Sequence, residues 1–193
     1  MRENARTKRT PQDVMDDAMW GIFQEGYRGP WGADADHLKT PADIDLCVSA
    51  GYTFYTIDPG AYVDNAAHTD DLETLRRKFL VLPWVRLDDY ADAMRARYVG
   101  VDHTFEVGPG DVFTLTFDEV SLLRAACKYG AALAHTAEMS AHLVETKRDQ
   151  RFQLEVSVDE TETPTSPLEH VFIAGELSRL GVEWVSMAPR YAG

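Results

Sequence analysis

The chain has 193 residues, of which 45% are hydrophobic and 26% charged, and its 19 basic and 32 acidic side chains give a net charge of −13. This composition excludes wholesale disorder, and no stretch comes near the ~20 apolar residues that a membrane-spanning helix needs. The negative balance argues against a nucleic-acid or anionic-membrane partner, and two cysteines are too few for a disulfide framework or a cysteine-ligated zinc site. We therefore expect a globular protein of the reducing cytoplasm.

The first 29 residues are typical of a charged arm with one short helix. Apolar residues recur at helical spacing from residue 11 to about residue 24, and glycines then end the pattern. Residues 30–193 form the second predicted domain, in which strands and helices alternate.

The predicted elements of this second domain follow one another in a regular order. We predict strands at residues 31–36, 52–58, 112–117, 151–159 and 182–187. We predict helices at residues 41–50, 70–82, 119–146 and 167–180, either a helix or an irregular excursion at 88–99, and loops at 37–39 and 102–111. Thr40-Pro41 and Ser166-Pro167-Leu168-Glu169 are typical helix starts, with a capping hydroxyl and proline at the first helical position.

This alternation predicts an α/β fold with a parallel sheet and helices outside it. Right-handed crossovers between parallel strands lead to an open doubly wound sheet or to a (β/α) barrel. In both folds, functional residues gather at the C-terminal ends of the strands. Candidate site residues are therefore expected where the predicted strands end.

The first predicted strand ends in Asp34-Ala35-Asp36-His37. Two carboxylates two residues apart share one side of an extended segment. Together with a neighbouring histidine they are a usual set for binding a divalent cation, or for a general base beside a metal ligand. The alternative is that the aspartates cap a turn and that His37 is a surface residue.

The strand at residues 151–159 alternates strictly between apolar and polar side chains, and its polar side carries Glu155 and Asp159. A parallel strand between helices should be apolar on both faces. The polar side therefore predicts a barrel interior with a polar pocket, and it makes Glu155 a candidate site residue. The alternative is an edge strand whose polar side lies in water.

Two cations near strand ends, Lys39 and Arg190, are candidates for binding a substrate carboxylate, which Arg190 can bind in bidentate fashion. The overall charge repels an anionic substrate, so such a substrate needs a metal or locally placed cations. Asp58 is another strand-end group. The alternative for each of these residues is an ordinary surface ion pair.

Four segments of the chain resemble the tagaturonate epimerase family. They are Trp31-Gly-Ala-Asp-Ala-Asp-His37 followed by Leu-Lys-Thr, Lys128-Tyr129-Gly130, the 16 residues from Glu155 to His170, and Trp184-Val-Ser-Met-Ala-Pro-Arg190. The resemblance extends from about Pro30 to the end of the chain.

The resemblance implies a metal-dependent (β/α)-barrel epimerase that interconverts D-tagaturonate and D-fructuronate, with the neutral ketoses tagatose and fructose as alternatives. By motif, Asp36 resembles the proton acceptor, His37 a divalent-metal ligand and Glu155 the proton donor, with Asp159 as the alternative donor. Lys39, Asp159 and Arg190 are then candidates for contacting the sugar acid or ketose. Whether the metal is zinc, manganese or nickel stays open, as does the formation of a homo-oligomer.

Two mechanisms are compatible with this chemistry. The ketohexuronates differ at a carbon one removed from the carbon beside the ketone, so the carbonyl does not acidify its hydrogen. Retro-aldol cleavage, rotation and re-addition avoids that hydrogen and uses the metal as a Lewis acid. In that route Asp36 and Glu155 move protons on and off the hydroxyls. Proton exchange at carbon by two bases is the alternative.

Members of the family are far longer than 193 residues, and we expect their further barrel strands and remaining metal ligands to be missing here. The sequence thus predicts a partial TIM-type (β/α) barrel, incomplete relative to the family. Exposed strand edges would make such a chain weakly active or inactive alone and prone to dimerise or aggregate. The alternative functions are an inactive fragment or non-catalytic sugar-binding module, and a metal-dependent sugar isomerase.

Overall fold

Four parallel strands form the central sheet of the chain, which a computed structural model describes over residues 2–192. The helices and strands in chain order are α1 (Arg2–Thr7), α2 (Pro11–Gln24), β1 (Asp34–Leu38), α3 (Pro41–Ser49), β2 (Phe54–Ile57), α4 (Leu72–Leu80), α5 (Ala91–Tyr98), β3 (Asp102–Gly108), β4 (Asp111–Thr116), α6 (Glu119–Lys147), β5 (Gln153–Val158), α7 (Pro167–Arg179) and β6 (Ser186–Pro189). Two short 3₁₀ turns, Gly60–Tyr62 and Asn65–His68, follow β2.

The sheet has the strand order β1-β2-β5-β6, and each neighbouring pair is parallel. The predicted α/β class and its parallel sheet with intervening helices are therefore confirmed. Within residues 2–192 the sheet is open and does not close on itself. Barrel closure is not a feature of the described chain.

Two local predictions were wrong in the middle of the chain. The predicted loop at residues 102–111 is mostly the strand β3, which pairs with β4 in an antiparallel hairpin apart from the main sheet. The predicted strand at 112–117 is real, but it belongs to this hairpin and is not a fifth parallel strand. Gly108-Pro109-Gly110 indicates only the turn, whereas the pairing of the two flanking segments is a cross-strand effect.

The first strand also lies later than predicted. The sequence predicts a strand at 31–36 and a loop at 37–39, whereas β1 spans Asp34–Leu38 and includes His37. Pairing with β2 explains the difference, because Asp34 lies opposite Phe54 and Leu38 lies opposite Ile57. Backbone pairing to a neighbour thus carries the strand past its propensity-based end.

Helix starts follow the sequence signals closely. Thr40 and Ser166 each form a capping box with the residue three positions later, and proline follows each cap as predicted. The arm helix α2 begins at Pro11, whose carbonyl accepts a hydrogen bond from the buried Tyr52 hydroxyl at 3.2 Å. The division of the chain into an arm of residues 1–29 and a second domain of residues 30–193 stays a prediction.

The two faces of the sheet differ in character. One face is apolar and buried, and includes Leu38, Tyr55, Ile57, Leu154, Val156 and Val158. These side chains belong to the same core cluster as residues of α3, α6 and α7, and burying each one fully stabilises the fold by about 1.5–3 kcal/mol. The opposite face carries Asp34, Thr56, Glu155 and Ser186 in one row, as their register and hydrogen bonds show.

The long helix α6 contains Gly130, which weakens a helix by its intrinsic propensity. Packing explains the glycine, since a Cβ at this position would lie 3.1 Å from Cδ2 of Leu82. Among the helices of residues 2–192, none combines the length and apolar character needed to cross a bilayer.

Candidate active site

The candidate site is built around His37, which lies near the C-terminal end of β1. The pairing of β1 with β2 shifts register between Ala35 and Leu38, and His37 has a φ of +53°. Non-glycine residues seldom adopt this conformation, which costs on the order of 1–3 kcal/mol and is concentrated at functional sites. The strand therefore departs from regular geometry at the candidate metal ligand.

A buried carboxylate fixes the orientation of the His37 ring. Asp58, which follows β2 and is 3% exposed, accepts a hydrogen bond from His37 Nδ1 at 3.1 Å. Because an ionised carboxylate only accepts hydrogen bonds, Nδ1 carries the hydrogen. The opposite nitrogen, Nε2, lies 3.6 Å from Oδ1 of Asp36. In the neutral ring this arrangement leaves Nε2 unprotonated, and Nε2 lies towards Asp36.

Two further groups hold Asp58 in place. Lys39 Nζ lies 2.8 Å from Asp58 Oδ2, and the Gly60 amide donates to Asp58 Oδ1 at 2.8 Å. Burial opposes ionisation of Asp58, but these hydrogen bonds, together with that of His37, lower the pKa of the carboxyl below its ordinary value. Asp58 is thus an ionised acceptor at neutral pH.

The same carboxylates act on His37. Burial opposes protonation of the ring, but the hydrogen bond to Asp58 and the negative charges of Asp36, Asp58 and Asp159 raise the pKa of His37 above its ordinary value. The carboxylates around His37 therefore favour positive charge on or beside the ring, whether from a proton or from a bound cation.

One group of side chains has the donor chemistry of a metal site. His37, Asp58 and Glu160 each offer one ligand atom, and these atoms lie within 4.8 Å of one another. An imidazole nitrogen with carboxylate oxygens suits zinc, manganese or nickel. Lys39 Nζ, however, lies 2.8 Å from Asp58 and 3.9 Å from Glu160, so an ammonium already neutralises these carboxylates. The geometry therefore fits a divalent cation best at Nε2 of His37, with Asp58 behind the ring.

A second group of polar side chains crosses all four strands of the sheet. The hydroxyl Oγ1 of Thr56 lies 3.2 Å from Oδ1 of Asp34 and 3.3 Å from Oε1 of Glu155. The Ser186 hydroxyl donates to the other carboxylate oxygen of Glu155. The predicted polar side of β5 therefore faces neighbouring polar groups, and Glu155 is partly buried among them.

The polar row changes the pKa of the Asp34 carboxyl. Desolvation raises the pKa of its carboxyl, and the charges of Asp36 and Glu155 raise it further. A Thr56 hydrogen donated to an ionised Asp34 would act in the opposite direction, but Thr56 has one hydrogen to share between Asp34 and Glu155. Asp34 as a whole is exposed, but its carboxyl contacts Thr56, which is 1% exposed.

Two further predicted site residues, Asp159 and Arg190, follow β5 and β6. Asp159 accepts a hydrogen bond from the Ser157 hydroxyl at 2.6 Å, and its charge acts on His37. The backbone of Arg190, which follows β6, exchanges hydrogen bonds with Thr165: its amide donates to Oγ1 at 3.2 Å, and its carbonyl accepts from the amide at 2.8 Å. Arg190 is exposed.

A cavity of about 420 Å³ opens beside β1. Its lining includes Asp34, Asp36, His37, Lys39 and Glu160, and this volume lies within the range of small-molecule sites. Glu155, Asp159 and Arg190 are not part of this lining. The structure thus brings Asp36, His37 and Lys39 together at one opening and places Glu155 along the sheet from them.

Three residues of these groups escaped prediction as site residues. The sequence identifies Asp58 only as a strand-end group, and it gives no signal that singles out Glu160 or Thr56. For Asp58 the signal was its place between a strand and Pro59-Gly60. For Thr56 the sequence carries no such signal, because its partners lie 22 and 99 residues away.

Known proteins share this sequence and architecture. The family model described as tagaturonate epimerase (UxaE) matches residues 1–193. A tagaturonate/fructuronate epimerase of Thermotoga maritima is 42% identical over 193 residues, which are 100% of this chain and 37% of the relative.

Solved structures agree with this match. The native fructuronate-tagaturonate epimerase UxaE of Cohnella laeviribosi has a TM-score of 0.85, and its complex with one glycerol has a TM-score of 0.86. Both are 36% identical to this chain and are matched over 100% of it and 37% of their own length. The chain spans 37% of the length of the relatives it matches. By sequence and by fold, the chain belongs to the tagaturonate epimerase family.

Proposed function

We propose that this chain carries part of the active site of an epimerase that interconverts D-tagaturonate and D-fructuronate. The observation that carries the proposal is the orientation of His37, whose Nδ1 is bound to Asp58 and whose Nε2 is directed towards Asp36. A metal-binding histidine usually donates its other ring N–H to a carboxylate in this way. The named activity of the Thermotoga maritima relative supports the choice of reaction.

We further propose that the open sheet is a section of a TIM-type (β/α) barrel. The all-parallel order β1-β2-β5-β6 and the helices on one face are compatible with that architecture. The polar row on the other face would then line the barrel interior, as the alternation in β5 predicts. A homo-oligomer and a cytoplasmic location stay part of the proposal, and the net charge of −13 supports the absence of nucleic-acid and membrane partners.

In the proposed site, His37 would hold a divalent zinc, manganese or nickel cation through Nε2. Such a cation supplies Lewis-acid polarisation of sugar oxygens when bound. Asp36 would accept a proton from a sugar hydroxyl, and Glu155 would donate one, with Asp159 as the alternative donor. Lys39 and Arg190 would contact the uronate carboxylate. Retro-aldol cleavage and two-base exchange both use these residues in these roles.

An assay of four sugars tests the proposal. The complete polypeptide that the gene encodes should interconvert tagaturonate and fructuronate, with tagatose and fructose measured in parallel. Its metal content should fall when His37 is replaced by Ala. Formation of an aldose would favour a sugar isomerase instead, and sugar binding without turnover or metal would favour a non-catalytic module.

Asp58, which accepts a hydrogen bond from the candidate metal ligand His37, gives a separate prediction. The substitution Asp58→Asn should lower the affinity for Zn²⁺ by about 10- to 100-fold, because the neutral amide holds the His37 ring less firmly and leaves the Lys39 ammonium without its closest anion. Isothermal titration calorimetry on the same polypeptide measures this change.

A matched control is available in a second aspartate–histidine pair. Asp45 lies 2.7 Å from Nε2 of His142 at the surface, so Asp45→Asn should leave Zn²⁺ affinity unchanged. Unaltered Zn²⁺ binding by Asp58→Asn would show that Asp58 does not support the metal ligand.

A further inference from the structure

The row of polar side chains across the sheet contains one hydroxyl between two carboxyl groups. Thr56 on β2 lies opposite Glu155 on β5, and its Oγ1 is 3.3 Å from Glu155 Oε1 and 3.2 Å from Asp34 Oδ1 on β1. Thr56 is 1% exposed, whereas Asp34 is exposed and Glu155 is partly buried. The Thr56 hydroxyl is therefore shielded from water and has these two carboxyl groups as its hydrogen-bond partners.

Counting hydrogens shows what this arrangement requires. A threonine hydroxyl has one hydrogen to donate and lone pairs with which to accept. If both carboxyl groups were ionised, one of the two contacts would have no hydrogen between its oxygens. A single additional proton completes both: a protonated Asp34 donates to Thr56 Oγ1, and Thr56 donates to Glu155 Oε1. The other oxygen of Glu155 already accepts from the Ser186 hydroxyl.

The surroundings favour Asp34 as the holder of this proton. The charged groups acting on it are Asp36 and His37 on β1 and Glu155 on β5, and desolvation together with the two carboxylates raises the pKa of Asp34. Asp34 also lines the 420 Å³ cavity, whereas Thr56 is buried. A proton can thus enter from the cavity at Asp34 and reach Glu155 through Thr56.

We propose that Asp34 and Thr56 form a proton relay that reloads Glu155 after it has given up its proton. The proton of Asp34 moves to Thr56 Oγ1 while the hydroxyl hydrogen of Thr56 moves to Glu155 Oε1. One proton is transferred in total, Asp34 becomes a carboxylate, and Thr56 is unchanged. The relay rests on the proposed role of Glu155 as proton donor, and within it Asp34 and Thr56 are positioning residues that act through Glu155.

Deleting the hydroxyl tests the relay without any assay of activity. In wild type, the carboxyl carbon of Asp34, followed by ¹³C NMR, should titrate with a midpoint above the ordinary value of about 3.9. In Thr56→Val the midpoint should fall by about one pH unit, because the protonated state loses two hydrogen bonds through Thr56 and the ionised state only one. Thr56→Ser, which keeps the hydroxyl, should retain the wild-type midpoint.

The opposite result is equally informative. If Thr56 only donated to an ionised Asp34, removing the hydroxyl would raise the midpoint of Asp34. A raised or unaltered midpoint in Thr56→Val therefore overturns the relay. Because this measurement needs neither substrate nor metal, it tests the hydrogen-bond arrangement of the relay separately from the proposed epimerase activity.

A second variant separates proton transfer from structure. In Asp34→Asn, the amide N–H can replace the hydrogen bond to Thr56 but cannot release a proton. In an active polypeptide, Asp34→Asn and Thr56→Val should each lower kcat by about tenfold with KM unchanged. Thr56→Ser, which keeps the hydroxyl, should have the wild-type kcat. Wild-type kcat in Asp34→Asn would overturn the relay. The relay would also be overturned if a lower melting temperature, and hence a smaller folded fraction, accounted for the whole loss of activity in these variants.

Discussion

Replacing Glu155 with Gln should lower the turnover of epimerisation by about 10²- to 10⁴-fold, the range expected when a general acid is removed. Gln has nearly the same shape and can still accept hydrogen bonds from Thr56 and Ser186, so the row across the sheet should persist. It cannot supply a proton. The loss should therefore fall on kcat and leave the fold intact, as measured by steady-state kinetics on the complete polypeptide beside a thermal melt.

Two further variants give this experiment its controls. Glu162 is an exposed acid of the loop after β5, and Glu162→Gln should retain full activity. Asp159 is the other candidate donor, and Asp159→Asn should reduce turnover much less than Glu155→Gln. If Asp159→Asn had the larger effect, the proton donor would be Asp159 and the role assigned to Glu155 would be wrong.

Replacing Lys128 with Met should destabilise the chain by about 3–5 kcal/mol, because it would leave a buried carboxylate without its partner. Lys128 is 1% exposed, and its Nζ lies 3.0 Å from Glu169 Oε1 and 3.1 Å from the Thr163 hydroxyl. These contacts connect α6 to α7 and to the loop before it, which carries Asp159 and Glu160. A loss of this size is a large share of the free energy of unfolding of a typical domain, which is about 5–15 kcal/mol.

The measurement is urea unfolding of Lys128→Met and of two comparison variants. Arg76 and Glu119 form an exposed pair at 2.8 Å, so Arg76→Met should cost at most about 1 kcal/mol. In the double variant Lys128→Met with Glu169→Gln, much of the loss should be recovered, since no unpaired charge remains and Gln at this position can still cap α7. Equal losses in Lys128→Met and Arg76→Met would show that burial does not strengthen the pair.

Much of the local structure could be predicted from the sequence. The capping boxes at Thr40 and Ser166 join residues three positions apart, so their hydrogen bonds are set by sequence neighbours. The alternation in residues 151–159 likewise identified β5 and the buried side of Leu154 and Val156. Periodicity failed for the β3–β4 hairpin, whose pairing depends on a second segment across the turn.

The sequence by itself determined the α/β class, most of the element order, the family, and the position of His37 beside Asp36, because each follows from near neighbours or from motifs. Only the tertiary structure decided that Asp58 fixes the His37 ring and that Thr56 joins Asp34 to Glu155, contacts between residues 21, 22 and 99 positions apart. The physical reason is that strand pairing sets these distances. Which side chains meet across a sheet depends on strand order and register, and both are properties of the folded chain as a whole.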